Sequence, residues 1–192
     1  MLENLNKFHI ILASKSPRRK QLLSELGITF DVQSMEVDEV FPLQLPVNEI
    51  PEYLAKLKAE PFKNQLTDND LIITSDTIVT IENEVLGKPA NYTEAFEMLQ
   101  KLSGKGHEVA TGVCLLSKNK EIIFTSVTEV YFKNFTKEEI DYYINQYKPY
   151  DKAGAYGIQE WIGHIGVEKI VGSYFNVMGL PIQRLYEELC KF

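Results

Sequence analysis

The segment "SKSPRRK" (Ser14–Lys20) gathers Lys15, Arg18, Arg19 and Lys20 around two serines and a proline, just where an apolar run gives way to helical spacing. Ser16 before Pro17 reads as an N-cap followed by the first helical residue, which puts Arg18 and Arg19 at the next two positions. A helix N-terminus carries partial positive charge and unpaired N–H groups, so each exposed cation there costs about 0.3–1 kcal/mol. The arrangement gains a purpose if an anion is bound, because N–H groups, hydroxyls and guanidinium forks then converge on it. The competing reading is a solvated basic patch whose long side chains bend away from the dipole.

Asp76 is the second residue that invites chemistry. It interrupts "LIITSDTIVTI", where its neighbours read as sheet core, and a carboxylate there needs a metal, a cation or several donors. It is either a metal-binding or general-base aspartate at the end of a sheet strand, where α/β folds place ligands, or an aspartate in a turn between two strands. Lys88 in "LGKPA" lies on a loop fixed by a glycine and a proline, as a phosphate partner or a solvated lysine. Glu36, Asp38 and Glu39 close a second apolar segment. Strand alternation would send Glu36 and Asp38 to one face and Glu39 to the other. Glu36 could then join Asp76 around Mg²⁺, which takes a few carboxylates together with phosphate oxygens. In "YDKAGAYGIQ" (Tyr150–Gln159) small residues let the backbone approach a ligand, and Gln159 carries both a donor and an acceptor suited to a base edge. A tight connection packed under the sheet would have the same composition.

Other chemistries are excluded. No Walker A spacing is present, His9, His107 and His164 show no zinc pattern, and there is neither a Gly-x-Ser-x-Gly elbow nor a dinucleotide-binding Gly-x-Gly-x-x-Gly. His107 reads as structural.

The elements that must hold these groups follow from periodicity. "HIILAS" (His9–Ser14) is a buried-strand run, and the helix after it shows Leu22, Leu23 and Leu26 on one face. A second strand is predicted over Phe30–Val37 and a helix between Asn48 and Gln65. Leu71–Gly87 is β-rich with a polar interruption at Ser75-Asp76-Thr77. Thr93 is the expected cap of the next helix, with Gly104 as its stop. Two long strands then flank Lys118-Asn119-Lys120, a hairpin signal. Thr136 and Glu139 have capping-box spacing, and an amphipathic helix ends the chain. Interleaved strands and helices around a long central hairpin predict a mixed, twisted α/β sheet.

Bulk properties set outer limits. The 192 residues suit one sizeable domain or two small ones, and a net charge of −7 argues against a broad nucleic-acid or membrane-surface binder. Cys114 and Cys190 form neither metal spacing nor a disulfide framework, and no run approaches a membrane span or a leader's apolar core. A soluble cytoplasmic protein with no nucleic-acid or membrane partner is expected.

Together and in order, "LASKSPRRKQLLSELG", "SDTIV", "LGKP", "LSGKGHEVATGV", "DKAGAYGIQ" and "GSYFNVMGLPI" closely resemble the Maf family of nucleoside triphosphate pyrophosphatases. The resemblance runs from about Ile11 to Leu185. It implies a single Maf-like domain over 1–192, with a mixed, twisted sheet flanked by helices, a central cleft, and an architecture related to the inosine triphosphate pyrophosphatases. It implies cleavage of a nucleoside triphosphate to the monophosphate and pyrophosphate with a divalent cation, Mg²⁺ or Mn²⁺. On that resemblance Asp76 matches the catalytic aspartate and a metal ligand, and Ser14, Arg18 and Arg19 match the phosphate-binding first loop. Glu36, Lys58 and Lys88 match polar positions in metal and phosphate roles. Arg18, Thr77 and Gln159 match positions tied to a preference for dTTP, UTP and modified pyrimidine nucleotides. The alternatives within the family are a 7-methyl-GTP preference and a non-catalytic, nucleotide-sensing role in cell division. A homodimer is the family's expected assembly. One departure stands out: Glu160 and Trp161 follow Gln159 where many members have a glycine and shorter apolar residues, which would reshape the pocket rim.

Overall fold

The computed structural model describes residues 2–192. In chain order it contains β1 (His9–Leu12), α1 (Pro17–Ser24), β2 (Asp31–Val32), α2 (Ile50–Ala59), β3 (Asp70–Ile81), β4 (Glu84–Leu86), α3 (Tyr92–Leu102), β5 (Gly106–Ser117), β6 (Glu121–Phe132), α4 (Lys137–Tyr147), α5 (Trp161–Gly166), β7 (Val167–Val171), α6 (Tyr174–Val177) and α7 (Ile182–Leu189). The strands form one seven-stranded sheet in the order β2-β1-β3-β5-β6-β7, with β4 paired to β3. β1 runs parallel to β2 and β3, whereas β3–β4 and β6–β7 are antiparallel, so the sheet is mixed as expected.

The chain divides into two compact units, each assembled from separate segments. The first comprises the chain up to Asp76, Thr111–Ser126 and Gly179–Phe192. Its sheet core includes Ile11, Ile72, Cys114 and Leu116, against which Ala55, Ala59 and Phe62 pack from α2 and the 3₁₀ turn after it. Two contacts seat α2. Thr74 Oγ1 on β3 donates to the Ala55 carbonyl at 2.6 Å. Gly112 on β5 lies so close to the Pro51 carbonyl that any Cβ there would collide with backbone. Glycine at this position is therefore a condition of how α2 docks. The second unit comprises Thr77–Ala110 and Val127–Met178. Its core joins Val79 and Ile81 of β3 to Leu99 of α3, Ile140 and Tyr143 of α4, and Tyr156. His107 is buried there, bonded through Nε2 to the Tyr156 hydroxyl at 2.8 Å, and burial lowers its pKa to about 4. It is a neutral core residue.

Several local signals are realised as written. Ser16 caps α1 by accepting from Arg19 N, Pro17 is its first residue, and Thr136 with Glu139 forms a complete capping box on α4. β5 and β6 meet at the Lys118–Lys120 turn, closed by Ser117 N–H donating to the Lys120 carbonyl at 2.8 Å. Three expectations need correction. The second strand is only Asp31–Val32, because the carboxylates at 36, 38 and 39 and the prolines at 42 and 46 supply no apolar face to bury. α3 is capped by Asn91, whose side chain accepts from Glu94 N at 3.0 Å, two residues ahead of the expected Thr93. β3 does not break at Ser75-Asp76-Thr77 but runs on for 12 residues. It turns only at Glu82 and Asn83, both with positive φ, which makes a two-residue hairpin to β4. Among the described residues no helix is long and apolar enough to cross a membrane.

Candidate active site

Asp76 sits inside a strand flanked by β1 and β5, and it is 7% exposed. Its partner is Lys58, which α2 presents one turn beyond buried Leu54. Lys58 Nζ donates to Asp76 Oδ1 and also pairs with Glu39 Oε1 at 2.8 Å. One lysine thus joins two carboxylates, and the buried charge of Asp76 is matched as a low-dielectric site requires. The ammonium explains why a carboxylate can occupy the middle of a strand: neither a turn nor a strand end is needed.

The basic loop lies in the same unit. Arg19 Nε donates to the Gly179 carbonyl at 2.8 Å, and a terminal nitrogen donates to the Ser75 carbonyl at 2.9 Å. These bonds tie the first turn of α1 to the residue preceding Asp76. Burial pushes the Arg19 pKa down, Asp76 and Glu39 pull it back up, and neighbouring Arg18 adds to the lowering. Arg19 therefore shares a field with both carboxylates while its guanidinium is held by backbone. Ser14 is buried, and its Oγ accepts from Ser16 N at 3.2 Å, which shapes the loop ahead of the helix. Arg18 is half-buried beside Arg19.

Glu36 follows a different course. Its side chain is 91% exposed and pairs with Lys15 at 3.1 Å. The carboxylate that meets Asp76 at Lys58 is Glu39, which strand alternation would have pointed the other way. Because no strand exists at 33–46, alternation does not apply there. Strand alternation selects Glu36 from the acids at 36, 38 and 39, and that choice loses its basis because the strand ends at Val32. Among the described residues no group of three or more His, Cys, Asp or Glu is arranged to hold a metal. Asp76 and Glu39 converge on the single Lys58 ammonium, and a carboxylate pair with phosphate oxygens and water is chemically suited to Mg²⁺.

Thr77, Lys88 and Gln159 belong to the second unit. Thr77 is half-buried in β3, and Lys88 is exposed on the loop after β4. That loop is held at Gly87, whose carbonyl accepts from Gly154 N at 3.1 Å. Gln159 is half-buried, and its Oε1 is enclosed without a hydrogen-bond partner. A buried acceptor left in this state costs about 1–3 kcal/mol.

A family model described as "Maf-like protein" matches residues 9–192, which span both units. The chain belongs to the Maf family. It is 58% identical to the dTTP/UTP pyrophosphatase of Phocaeicola vulgatus, with 192 residues aligned and all of each chain covered. It is 54% identical to the protein of that name from Parabacteroides distasonis and 52% identical to that of Bacteroides thetaiotaomicron, again over the whole of both chains. Among solved structures this Maf chain is similar to a HAM1 protein from Coxiella burnetii, with a TM-score of 0.56 and 16% identity over 96% of this chain and 100% of that one. The Ham1 protein of Staphylococcus aureus aligns with a TM-score of 0.50 and 16% identity over 94% and 99%. At these identities the likeness is one of fold, and it agrees with the mixed α/β architecture expected from the family resemblance.

Proposed function

We propose that this Maf-family chain hydrolyses dTTP, UTP and modified pyrimidine nucleoside triphosphates to the monophosphate and pyrophosphate. The observation that carries the reading is full-length similarity, at 52–58% identity, to proteins named dTTP/UTP pyrophosphatase. The charge arrangement supports it. The chain is acidic overall, so local cations must offset repulsion of a triphosphate, and Arg18 and Arg19 at the start of α1 supply such cations.

In the reaction, Asp76 accepts a proton from water as its oxygen attacks the α-phosphorus. A P–O bond forms there while the α–β anhydride bond breaks, and the electron pair leaves with pyrophosphate. Arg19, held by two backbone carbonyls, stabilises that charge with little reorganisation. Lys58 fixes the Asp76 carboxylate through Oδ1. Asp76 and Glu39 would hold Mg²⁺ or Mn²⁺, which supplies charge neutralisation on the phosphates when bound. In the pyrimidine reading, Arg18 and Thr77 serve base or sugar recognition. The Gln159 amide accepts from the N3–H of uracil or thymine and donates to a neighbouring carbonyl.

The test is pyrophosphate release across a nucleotide panel with Mg²⁺ or Mn²⁺, including 7-methyl-GTP, for the wild type and Asp76→Asn. Turnover of dTTP and UTP, with a drop of about 10²–10⁴-fold in the variant, supports the assignment. Full activity in the variant removes Asp76 from the chemistry. No turnover of any nucleotide would favour a sensing role.

A further inference from the structure

Directly after Gln159 the chain carries Glu160, and the second unit builds an enclosed polar chain around it. Lys152 is 7% exposed, and its Nζ lies 3.2 Å from Glu160 Oε1 and 2.7 Å from Asp151 Oδ1. The other Glu160 oxygen accepts from the Tyr143 hydroxyl, and that hydroxyl in turn accepts from Gly157 N at 2.9 Å. Tyr143 is fully buried on α4, and burial, with the bond to Glu160 next, pushes its phenol pKa upward, so it remains a donor. The turn itself is closed by Glu160 N donating to the Gly157 carbonyl at 3.0 Å. Lys152, Glu160 and Tyr143 thus grip both ends of the turn Gly157–Glu160.

Gln159 is the residue inside that grip. A Cβ at Gly157 would lie 2.8 Å from Glu160 Cδ and 3.0 Å from Gln159 Nε2, so both side chains fold back over the glycine. The amide nitrogen thus lies over Gly157 beside the Glu160 carboxylate, and Oε1 is the enclosed, unpartnered acceptor. We propose that Glu160, tied to Lys152 and Tyr143, is a positioning residue that pre-orders the Gln159 amide for a pyrimidine base. This rests on the reading of Gln159 given above. A free glutamine must lose rotamer entropy on binding, whereas one already ordered does not. The ordering also discriminates, because an amide held in one orientation matches one donor–acceptor pattern and leaves groups unpaired against another.

Trp161, the sole tryptophan, follows Glu160 and packs edge-on against Tyr142 with ring centroids 4.7 Å apart, so its fluorescence reports on this turn. The experiment compares wild type, Glu160→Gln, Glu160→Ala and Tyr143→Phe by steady-state kinetics on dTTP and dATP, and by Trp161 fluorescence titration with dTMP. Glu160→Ala is expected to raise KM for dTTP roughly three- to tenfold, the penalty of ordering one flexible side chain, while kcat holds within about twofold. The dTTP-to-dATP ratio of kcat/KM falls in step, and dTMP binds more weakly by a similar factor. Glu160→Gln, which keeps the acceptor for Tyr143, loses less. Equal losses on dTTP and dATP, or a fall in kcat alone, would overturn the proposal and leave Glu160 a purely structural residue. If the alanine variant does not fold, Tyr143→Phe carries the same test, and an unchanged ratio there overturns it equally. Failure of the functional reading is distinguishable: the wild type would then turn over no pyrimidine triphosphate. The dTMP titration still decides about Glu160 in that case, since unaltered affinity in the variants overturns it.

Discussion

Lys58 on α2 donates to the carboxylate of Asp76 in the middle of β3, and the same ammonium reaches Glu39. This one pairing accounts for a charged residue in a buried strand, and it involves both carboxylates proposed above to hold a divalent cation. Removing the lysine should therefore affect stability and metal response together. Lys58→Met is expected to destabilise the fold by about 3 kcal/mol, because a carboxylate with little exposure loses its partner. Mg²⁺ should recover part of that loss, and should stabilise the variant more than the wild type. Urea denaturation with and without Mg²⁺ measures both effects. Equal responses of the two proteins would separate Lys58 from the cation site. The Lys58→Met/Asp76→Asn double variant should lose less than the sum of the single changes.

Gln159 offers a second test. Glu in its place keeps two acceptors but loses the N–H₂ donor and brings charge into a partly enclosed position. Gln159→Glu should cut kcat/KM for dTTP and UTP by roughly 10- to 100-fold while altering purine nucleotides much less. An unchanged nucleotide ranking would take Gln159 out of the specificity argument.

Gly112 should behave as a packing residue with catalytic consequences. A methyl group there meets the Pro51 backbone, so the start of α2 must move, at about 1–3 kcal/mol. The same helix carries Lys58, so Gly112→Ala is expected to lower the melting temperature and kcat together. A variant that melts earlier but keeps its full kcat would show that α2 can shift without disturbing the Lys58–Asp76 pair.

At the opposite end of these strands, His9 bridges Asp31 through Nε2 at 2.7 Å and Asp70 through Nδ1 at 3.1 Å. The bond to Asp31, and then that to Asp70, raises the His9 pKa. Burial pushes the Asp70 carboxyl up, but the Thr67 amide and hydroxyl and then His9 hold it below its usual value. A histidine with a raised folded pKa contributes stability that is complete below the ordinary value of 6.5 and disappears as pH rises through the folded one. Asp70 contributes above its ordinary 3.8 and loses that contribution as pH falls through its lower folded value. The melting-temperature gap between wild type and His9→Gln should accordingly be widest near about pH 5–6 and close toward pH 8. A gap that does not change with pH would rule out the bridge as its source.

The sequence by itself determined what depends on neighbours along the chain. The Ser16 cap, Pro17 and the two arginines behind it, the Lys118–Lys120 hairpin turn and the Thr136–Glu139 capping box are satisfied within a few residues, so their patterns were readable. The family was legible because ordered motifs carried it, and the same motifs singled out Asp76, Lys88 and Gln159 as candidates. Tertiary structure alone decided how those residues are held. Asp76 stays inside an unbroken strand because a lysine 18 positions earlier reaches it from a helix, and that helix sits where it does because Gly112 admits Pro51. The choice of Glu39 over Glu36 rests on the same packing: outside a strand no period fixes where a side chain points, and the carboxylate nearest the buried ammonium takes the bond.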